Sequence, residues 1–366
     1  MSDNNLIESS QIVINGRPAI GRNLKPYIIS EIGTNHNRNI ETARELVRKS
    51  ATAGCDCAKF QIYEPNEIVS AKVRSKDYGL DVKYGDISAQ DVFEKYLKTP
   101  KEWFPELCDL CHELSMDCCV TIHGENGLQW ARNLDIDIVK IASMDHTNLP
   151  LMESLINTIN VPILASFGMA TLADIDKAVS ILRLHKKGFA LFHCVSMYPP
   201  KPTEVHLNNI PFLNKRYNLN VGFSDHTEDV VTSATAVALG ATVFEKHITL
   251  DRKQEGPDHG FALEPNDMNA FVSNINDVYL TLSQDGFVEP SKIEYENRTL
   301  YLKSIITKYN MKADHCMTYD DVYLARPGTG MHPGELHNVV GRILLHDIDA
   351  DEPLNEEDLI PKTSQP

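Results

Sequence analysis

The chain has 366 residues, 42% of them hydrophobic, and a formal charge of -16 at pH 7. That length predicts one large domain with a smaller companion, and the hydrophobic share suffices for a sizeable core. The acidic balance argues against nucleic acid and anionic membranes as partners, yet allows an anionic substrate gripped by a few focused lysines.

The first residues are polar, with no basic and then apolar leader. No apolar run is long enough to span a membrane, so a cytoplasmic protein is expected. Within 1–26, Gln11-Ile-Val-Ile-Asn-Gly-Arg17 places Asn15-Gly16 between apolar residues, the signature of a β-hairpin that covers one end of the large domain. From Tyr27 the pattern becomes regular. Strands are predicted at 27–33, 55–63, 117–123, 136–144, 161–169, 188–197, 219–226 and 242–249. Helical stretches stand between them, at Asn39 to Ala53, Lys101 to Leu114, Leu149 to Thr158 and Leu172 to Leu184, and a closing helix runs from Asn266 to Leu282. Strand–helix alternation repeated eight times over roughly 250 residues predicts a (β/α)8 TIM barrel over 27–283. An open doubly wound sheet competes, but no Gly-rich dinucleotide fingerprint follows the first strand.

In such a barrel the chemistry sits where strands end. Glu31 and Asn35 follow strand one, and Lys59 and Gln61 belong to strand two. Thr121 and His123 close strand three; Lys140, Ser143 and Asp145 close strand four. Ser166 ends strand five, Ser196 and Tyr198 follow strand six, and Ser224, Asp225, His226, Glu245, Lys246 and His247 end strands seven and eight. Asp258 and His259 lie just beyond. His226 and His247 occupy equivalent ends of adjacent strands. Either alone reads as a satisfied histidine, but together they suit a divalent metal with open coordination positions. Lys59 and Lys140 stand inside apolar runs, where an ammonium needs an anionic partner. An internal carboxylate such as Glu31 would serve. Two lysines beside serines at one rim suit a phosphate better, and a Schiff-base lysine is a weaker third reading.

Eight cysteines are present. Cys108 and Cys111 have CxxC spacing but fall in a helical pattern, so reduced, buried thiols are expected rather than a zinc site. A polar linker is predicted over 284–299. Beyond it, 300–366 reads as a small β-rich module with short apolar pieces at Ser304 to Thr307, Asp321 to Arg326 and Gly341 to Leu345. Arg326 precedes the rigid Pro327-Gly-Thr-Gly330 turn, and on its own reads as a solvated turn residue.

Taken together, these stretches resemble the sialic acid synthases. The matching motifs are Ile28-Ile-Ser-Glu-Ile-Gly-Thr-Asn-His-Asn37, Ala53-Gly-Cys-Asp-Cys-Ala-Lys-Phe-Gln61, Val139-Lys-Ile-Ala-Ser143, His193-Cys194 with Tyr198-Pro199, Gly222-Phe-Ser-Asp-His-Thr227, Phe244-Glu-Lys-His247, Gly256-Pro-Asp258 and Arg326-Pro-Gly-Thr-Gly330. Their order covers nearly the whole chain. The resemblance implies a C-terminal antifreeze-like (SAF) domain and a transferase that joins phosphoenolpyruvate to an N-acylated amino sugar. It also implies Mn²⁺, or Mg²⁺ or Co²⁺, on His226 and His247. Lys59, Lys140, Ser143, Ser166, Tyr198 and Ser224 would surround phosphoenolpyruvate. Glu31, Asp258 and Arg326 would meet the sugar, Arg326 arriving from the other protomer of a domain-exchanged homodimer. Asn35, Gln61, Asp145 and Ser196 complete the expected substrate-binding set.

Four positions depart from the family's pattern. Thr121-Ile-His-Gly124 replaces Ser-Thr-Pro-Phe, Ser166-Phe-Gly-Met169 replaces Ser-Thr-Gly-Met, Ser196 replaces an asparagine and Arg38 a glycine. They approach the sugar side, so the acceptor stays open between N-acetylmannosamine, its 6-phosphate and a diacetamido-trideoxy-hexose of the legionaminic or pseudaminic type. A metal-dependent barrel hydrolase is the more distant alternative.

Overall fold

The computed structural model describes residues 11–282 and 288–361. The chain divides into two compact units, Met1–Ser283 and Gln284–Pro366. In the first, β1 (Ile12–Ile14) and β2 (Arg17–Ile20) form the expected antiparallel hairpin. Its turn residues Asn15 and Gly16 both take positive φ, 49° and 76°, as a two-residue hairpin turn matched to strand twist requires.

Eight parallel strands then close into a barrel: β3 (Tyr27–Glu31), β4 (Cys57–Ile62), β5 (Asp117–Ile122), β6 (Ile138–Ile141), β7 (Ile163–Ser166), β8 (Phe189–Cys194), β9 (Val221–Asp225) and β10 (Val243–His247), with β10 pairing back on β3. The doubly wound alternative is excluded by this closure. Each strand lies within its expected span, and the overhanging residues leave the ladder as loops carrying site groups. The predicted helices occupy Ile40–Ala53, Phe104–Glu113, Leu149–Thr158, Leu172–Leu182 and Pro265–Thr281.

Strand alternation divides the side chains. Outward residues such as Ile28, Phe60, Val120 and Phe244 join the helix-facing core. Inward, a lower layer of Ile29, Cys57, Cys119, Ile138, Leu164, Phe192 and Val243 packs with Ile12, Ile14 and Ile20 of the hairpin. The barrel is thus filled at its N-terminal end. Asn15 Nδ2 donates to Asp137 (2.6 Å) and Asp117 (3.1 Å), and Arg17 and the Tyr27 hydroxyl both donate to Asp117 at 2.6 Å, pinning the hairpin there.

The sequence pattern offered no elements between Tyr63 and Pro100. Short helical turns occupy that stretch, at Pro65–Ile68, Ser75–Tyr78, Asp81–Tyr84, Ala89–Val92 and Phe93–Leu97. Elements of four or five residues are too short to show a period. Every cysteine is free, as expected; Cys316 is exposed rather than buried.

In the second unit, the expected linker holds a helix, Lys292–Tyr301. The Ser291 hydroxyl accepts from the Glu294 N–H as its cap, and no residue on the helix is buried, so it lacks an apolar stripe to betray it. Residues 284–287 of that predicted linker, and Ser283 before it, lie outside the described residues. β11 (Ser304–Thr307) and β12 (Val322–Ala325) pair antiparallel. The piece at 341–345 carries isolated bridges, Cys316 to Ile343 and Leu344 to Leu359, in place of a strand. Ile305, Met317, Val339, Leu344 and Leu354 form this unit's core.

Candidate active site

Above the apolar layer the barrel opens into a cavity of about 430 Å³, in the range of small-molecule sites. Of the predicted residues, Glu31, Lys59, Gln61, Lys140, Ser143, Ser166, Ser196, Tyr198, Ser224, His226, His247 and Asp258 line it together. Two do not. Asn35 is buried and donates to the Ile248 carbonyl (2.9 Å), and Asp145 faces His123 (2.8 Å). Both act on the site's framework rather than its surface. Arg326 belongs to the second unit, where it is exposed and its guanidinium stands 5.3 Å from the Tyr301 ring centroid.

The floor is a ring of buried charges. Lys59 Nζ lies 2.9 Å from Glu31 Oε2 and 3.5 Å from Glu245 Oε2, and Lys140 Nζ lies 3.1 Å from the same Glu245 oxygen. The internal-carboxylate reading of the lysines therefore holds, with Glu245 joining Glu31. These approaches miss hydrogen-bonding directions, for both Oε2 atoms remain buried without a hydrogen-bond partner. Burial pulls the Lys59 ammonium down, but Glu245 and Glu31 outweigh it and hold it above its ordinary value. Burial likewise pushes the Glu245 carboxyl up, and Lys140 with Lys59 more than reverses this. Glu245 was named at the end of strand eight but given no role in the expected site. Its signal is alternation: in Val243-Phe-Glu-Lys-His247, residues 243, 245 and 247 face inward. Lys246 points out to pair with Asp225 at 3.0 Å, which also accepts from Ser233. Thr121, which accepts from Lys59 (3.0 Å), and His123, both named at the end of strand three but given no role, also line the cavity, with Thr34 and Cys194.

His226 and His247 meet as expected, with ring centroids 5.4 Å apart. Phe261 packs edge-on against both, and the Tyr198 ring lies over His226 at 4.4 Å. His226 Nδ1 is 3.0 Å from the Val195 carbonyl. That contact fixes the hydrogen on Nδ1 and frees the Nε2 lone pair, as in many metal-binding histidines. Burial lowers the His226 imidazole, but Cys194 and the Val195 carbonyl lift it above its ordinary value. Burial and His226 hold His247 well below it, favouring the neutral, ligating form. His247 Nδ1 is buried without a hydrogen-bond partner, 3.8 Å from Asp258. Burial and the nearby Glu31 push the Asp258 carboxyl up to about 6. Among the described residues no group of three or more His, Cys, Asp or Glu side chains is placed to hold a metal ion; a divalent ion here would have only these two imidazoles as its ligands from that set, with its remaining positions left to water or substrate.

The mouth has a different character. Tyr78, Leu80, Phe93 and Leu97 of the 64–100 excursion and Met144 supply an apolar wall. Arg38 holds this excursion by donating to the carbonyls of Glu94 (3.0 Å) and Lys98 (3.1 Å). It does so from a left-handed backbone, φ 59°, where a glycine is the easier residue. Among the described residues lining the cavity, Lys59 and Lys140 are the only lysines or arginines. A second cavity of about 480 Å³, outside the first, shares Met169, Cys194 and Ser196 with it and is lined by no carboxylate or ammonium; the chemistry belongs to the first.

The NeuB family model matches residues 46–286. The chain is 30% identical to the N,N'-diacetyllegionaminic acid synthase of Legionella pneumophila, covering 92% of this chain and 95% of that one. It is 30% identical to the N-acetylneuraminate-9-phosphate synthase of Drosophila melanogaster, covering 90% and 94%. The crystal structure of an N-acetylneuraminic acid (sialic acid) synthetase from Leptospira borgpetersenii, in complex with citrate, superposes with a TM-score of 0.68 at 28% identity, over 79% of this chain and 95% of that chain.

Proposed function

The chain belongs to the NeuB family, and from that premise we propose that it condenses phosphoenolpyruvate with an unphosphorylated N-acylated amino sugar and water. The products are a nine-carbon 2-keto acid and phosphate. The observation that carries this reading is the join of a lysine-bearing floor with a histidine pair in one cavity, where buried polar atoms of Glu31, Ser166, Ser196, Glu245 and His247 lack hydrogen-bond partners. Such atoms are rare in a finished interior and mark a place for a ligand.

Lys59 and Lys140 orient the carboxylate and phosphate of phosphoenolpyruvate, a contribution of position more than of chemistry. Ser143, Ser166 and Ser224 supply the shorter hydrogen bonds. A divalent ion on His226 and His247 would supply Lewis-acid polarisation of the sugar's aldehyde oxygen. As C3 of phosphoenolpyruvate bonds to that carbon, positive charge develops at C2. Glu31, fixed by the Gln61 amide at 2.7 Å, has its Oε2 lone pair available to stabilise that charge and to accept a proton from the attacking water. The proton taken from water passes to the new alkoxide, and as the bond from C2 to the phosphate oxygen breaks, the C2 hydroxyl gives its proton to the departing phosphate and becomes the 2-keto group.

Within this chain's own described lining Lys59 and Lys140 are the only side-chain lysines or arginines; a single guanidinium from a partner would be the one further group for a sugar phosphate, which supports an acceptor without one. The apolar wall at Tyr78, Leu80, Phe93 and Leu97 favours, as a second reading, a diacetamido-trideoxy-hexose, whose missing hydroxyls leave methyl and acetyl groups to cover. We also propose a homodimer in which Arg326 serves its partner's site; the exposed turn position and the family resemblance support it. Phosphate release should be measured with phosphoenolpyruvate, Mn²⁺ and each of N-acetylmannosamine, its 6-phosphate and the diacetamido sugar. Release that requires both substrates, with the 6-phosphate poorest, is the expected result. Release from phosphoenolpyruvate alone would favour a metal-dependent hydrolase, and preference for the 6-phosphate would reject the acceptor reading.

A further inference from the structure

One buried pair has no task in this scheme. His123 directly follows β5, is 4% exposed, and lines the cavity. Its Nδ1 lies 2.8 Å from Asp145 Oδ2. A carboxylate accepts, so Nδ1 carries the hydrogen and Nε2 is left as the ring's other polar atom, a lone pair when the ring is uncharged. That Nε2 is buried and has no hydrogen-bond partner. The ring is not free to turn in search of one: Tyr63 packs edge-on against it at 5.7 Å, and Phe93 of the mouth braces Tyr63 at 6.0 Å.

Register gives its height. Thr121 pairs with Gln61 and is followed across the sheet by Lys140. His123 lies two residues further along the same inward face, one step nearer the mouth than the lysine level. It therefore stands where the charged floor gives way to the apolar wall. The two proposed substrates differ in what they offer at that height. Phosphoenolpyruvate, ionised, presents only hydrogen-bond acceptors. An amino sugar presents hydroxyl and amide N–H donors.

We propose that His123, oriented by Asp145, accepts a hydrogen bond from a hydroxyl or amide N–H of the acceptor sugar and so contributes to its selection. This rests on the synthase reading of the cavity. Asp145 is then a positioning residue, acting through the imidazole without touching the sugar.

The test is steady-state phosphate release by the full-length, Mn²⁺-loaded protein, with the best sugar of the panel and phosphoenolpyruvate varied in turn. His123→Phe keeps a ring of similar width and loses the lone pair. It should raise the sugar KM about tenfold, the scale of one lost buried hydrogen bond, and leave the phosphoenolpyruvate KM within about twofold. Should the larger ring fail to pack, His123→Ala reads the same ratio. Asp145→Asn should move the sugar KM in the same direction by less, a split that a merely structural role would not produce. If the unaltered protein turns over but the His123 variants keep its sugar KM, or only the phosphoenolpyruvate KM rises, the inference is overturned and the synthase reading survives. If the unaltered protein releases phosphate with no sugar of the panel, both are overturned.

Discussion

Replacing Glu245 with glutamine preserves its shape and removes one negative charge from the centre of the floor. Lys59 would still have Glu31 at 2.9 Å. Lys140 would lose the carboxylate at 3.1 Å and keep only the Phe192 ring, with its centroid 5.0 Å away. Removing one partner of a buried ion pair costs about 3–5 kcal/mol. In a domain of this size each kcal/mol corresponds to about 2–4 °C, so Glu245→Gln should melt roughly 6–20 °C below the unaltered protein. The same reasoning predicts a rescue. Phosphoenolpyruvate, or inorganic phosphate, supplies the lysines with the charge they lack, so it should raise the variant's melting temperature more than that of the unaltered protein. A thermal melt followed by fluorescence, at increasing phosphoenolpyruvate, measures both effects. A variant that melts within about 2 °C of the parent and shows the same ligand-induced rise would refute the idea that Glu245 holds the two lysines.

His247→Ala should reduce turnover by about a thousandfold or more while leaving the far-ultraviolet circular dichroism unchanged, and exhaustive chelation should do the same; a fully active metal-stripped protein would contradict this. Asp117→Ala removes the acceptor shared by Arg17 and Tyr27, so urea unfolding should show a loss of about 2–4 kcal/mol. KM values should hold, because this carboxylate serves the closed end of the barrel. Gly222→Ala would place a Cβ 2.5 Å from the Val243 carbonyl oxygen and 2.9 Å from Phe192 Cε1. Overpacking of that kind costs about 1–3 kcal/mol, and a variant as resistant to urea as the parent would show that β9 and β10 are less tightly apposed than described.

Much of the barrel could be read in advance because parallel strands buried on both faces are uninterrupted apolar runs, and a charged residue inside one stands out. Lys59 and Lys140 were visible for that reason, and His226 and His247 because equivalent strand ends must be neighbours. Glu245 was harder. It sits between Phe244 and Lys246, and a strand end with three consecutive polar residues does not announce which of them turn inward until the register is fixed by His247. By spacing Asp145 and Asn35 read as substrate-binding groups, whereas Asp145 faces His123 and the Asn35 amide donates to the Ile248 carbonyl, a distinction that depends on side-chain direction and not on spacing. The mouth was opaque. Tyr78 and Phe93 belong to turns too brief to display periodicity, and only the Arg38 contacts explain how that stretch is held. The helix Lys292–Tyr301 carried one legible mark, Ser291 followed by Glu294, which composition alone disguised as a linker.

The hairpin wedged under β3–β10 has a kinetic corollary. With Ile12, Ile14 and Ile20 corking the lower opening, the reaction chamber is a blind shaft, and traffic must share one doorway. A guest seated on the lysines has to arrive before anything lodged above it, and a fragment left at the bottom must wait for the upper occupant to depart. On the proposed reading, such a shaft predicts ordered entry and ordered exit, which product-inhibition kinetics would check.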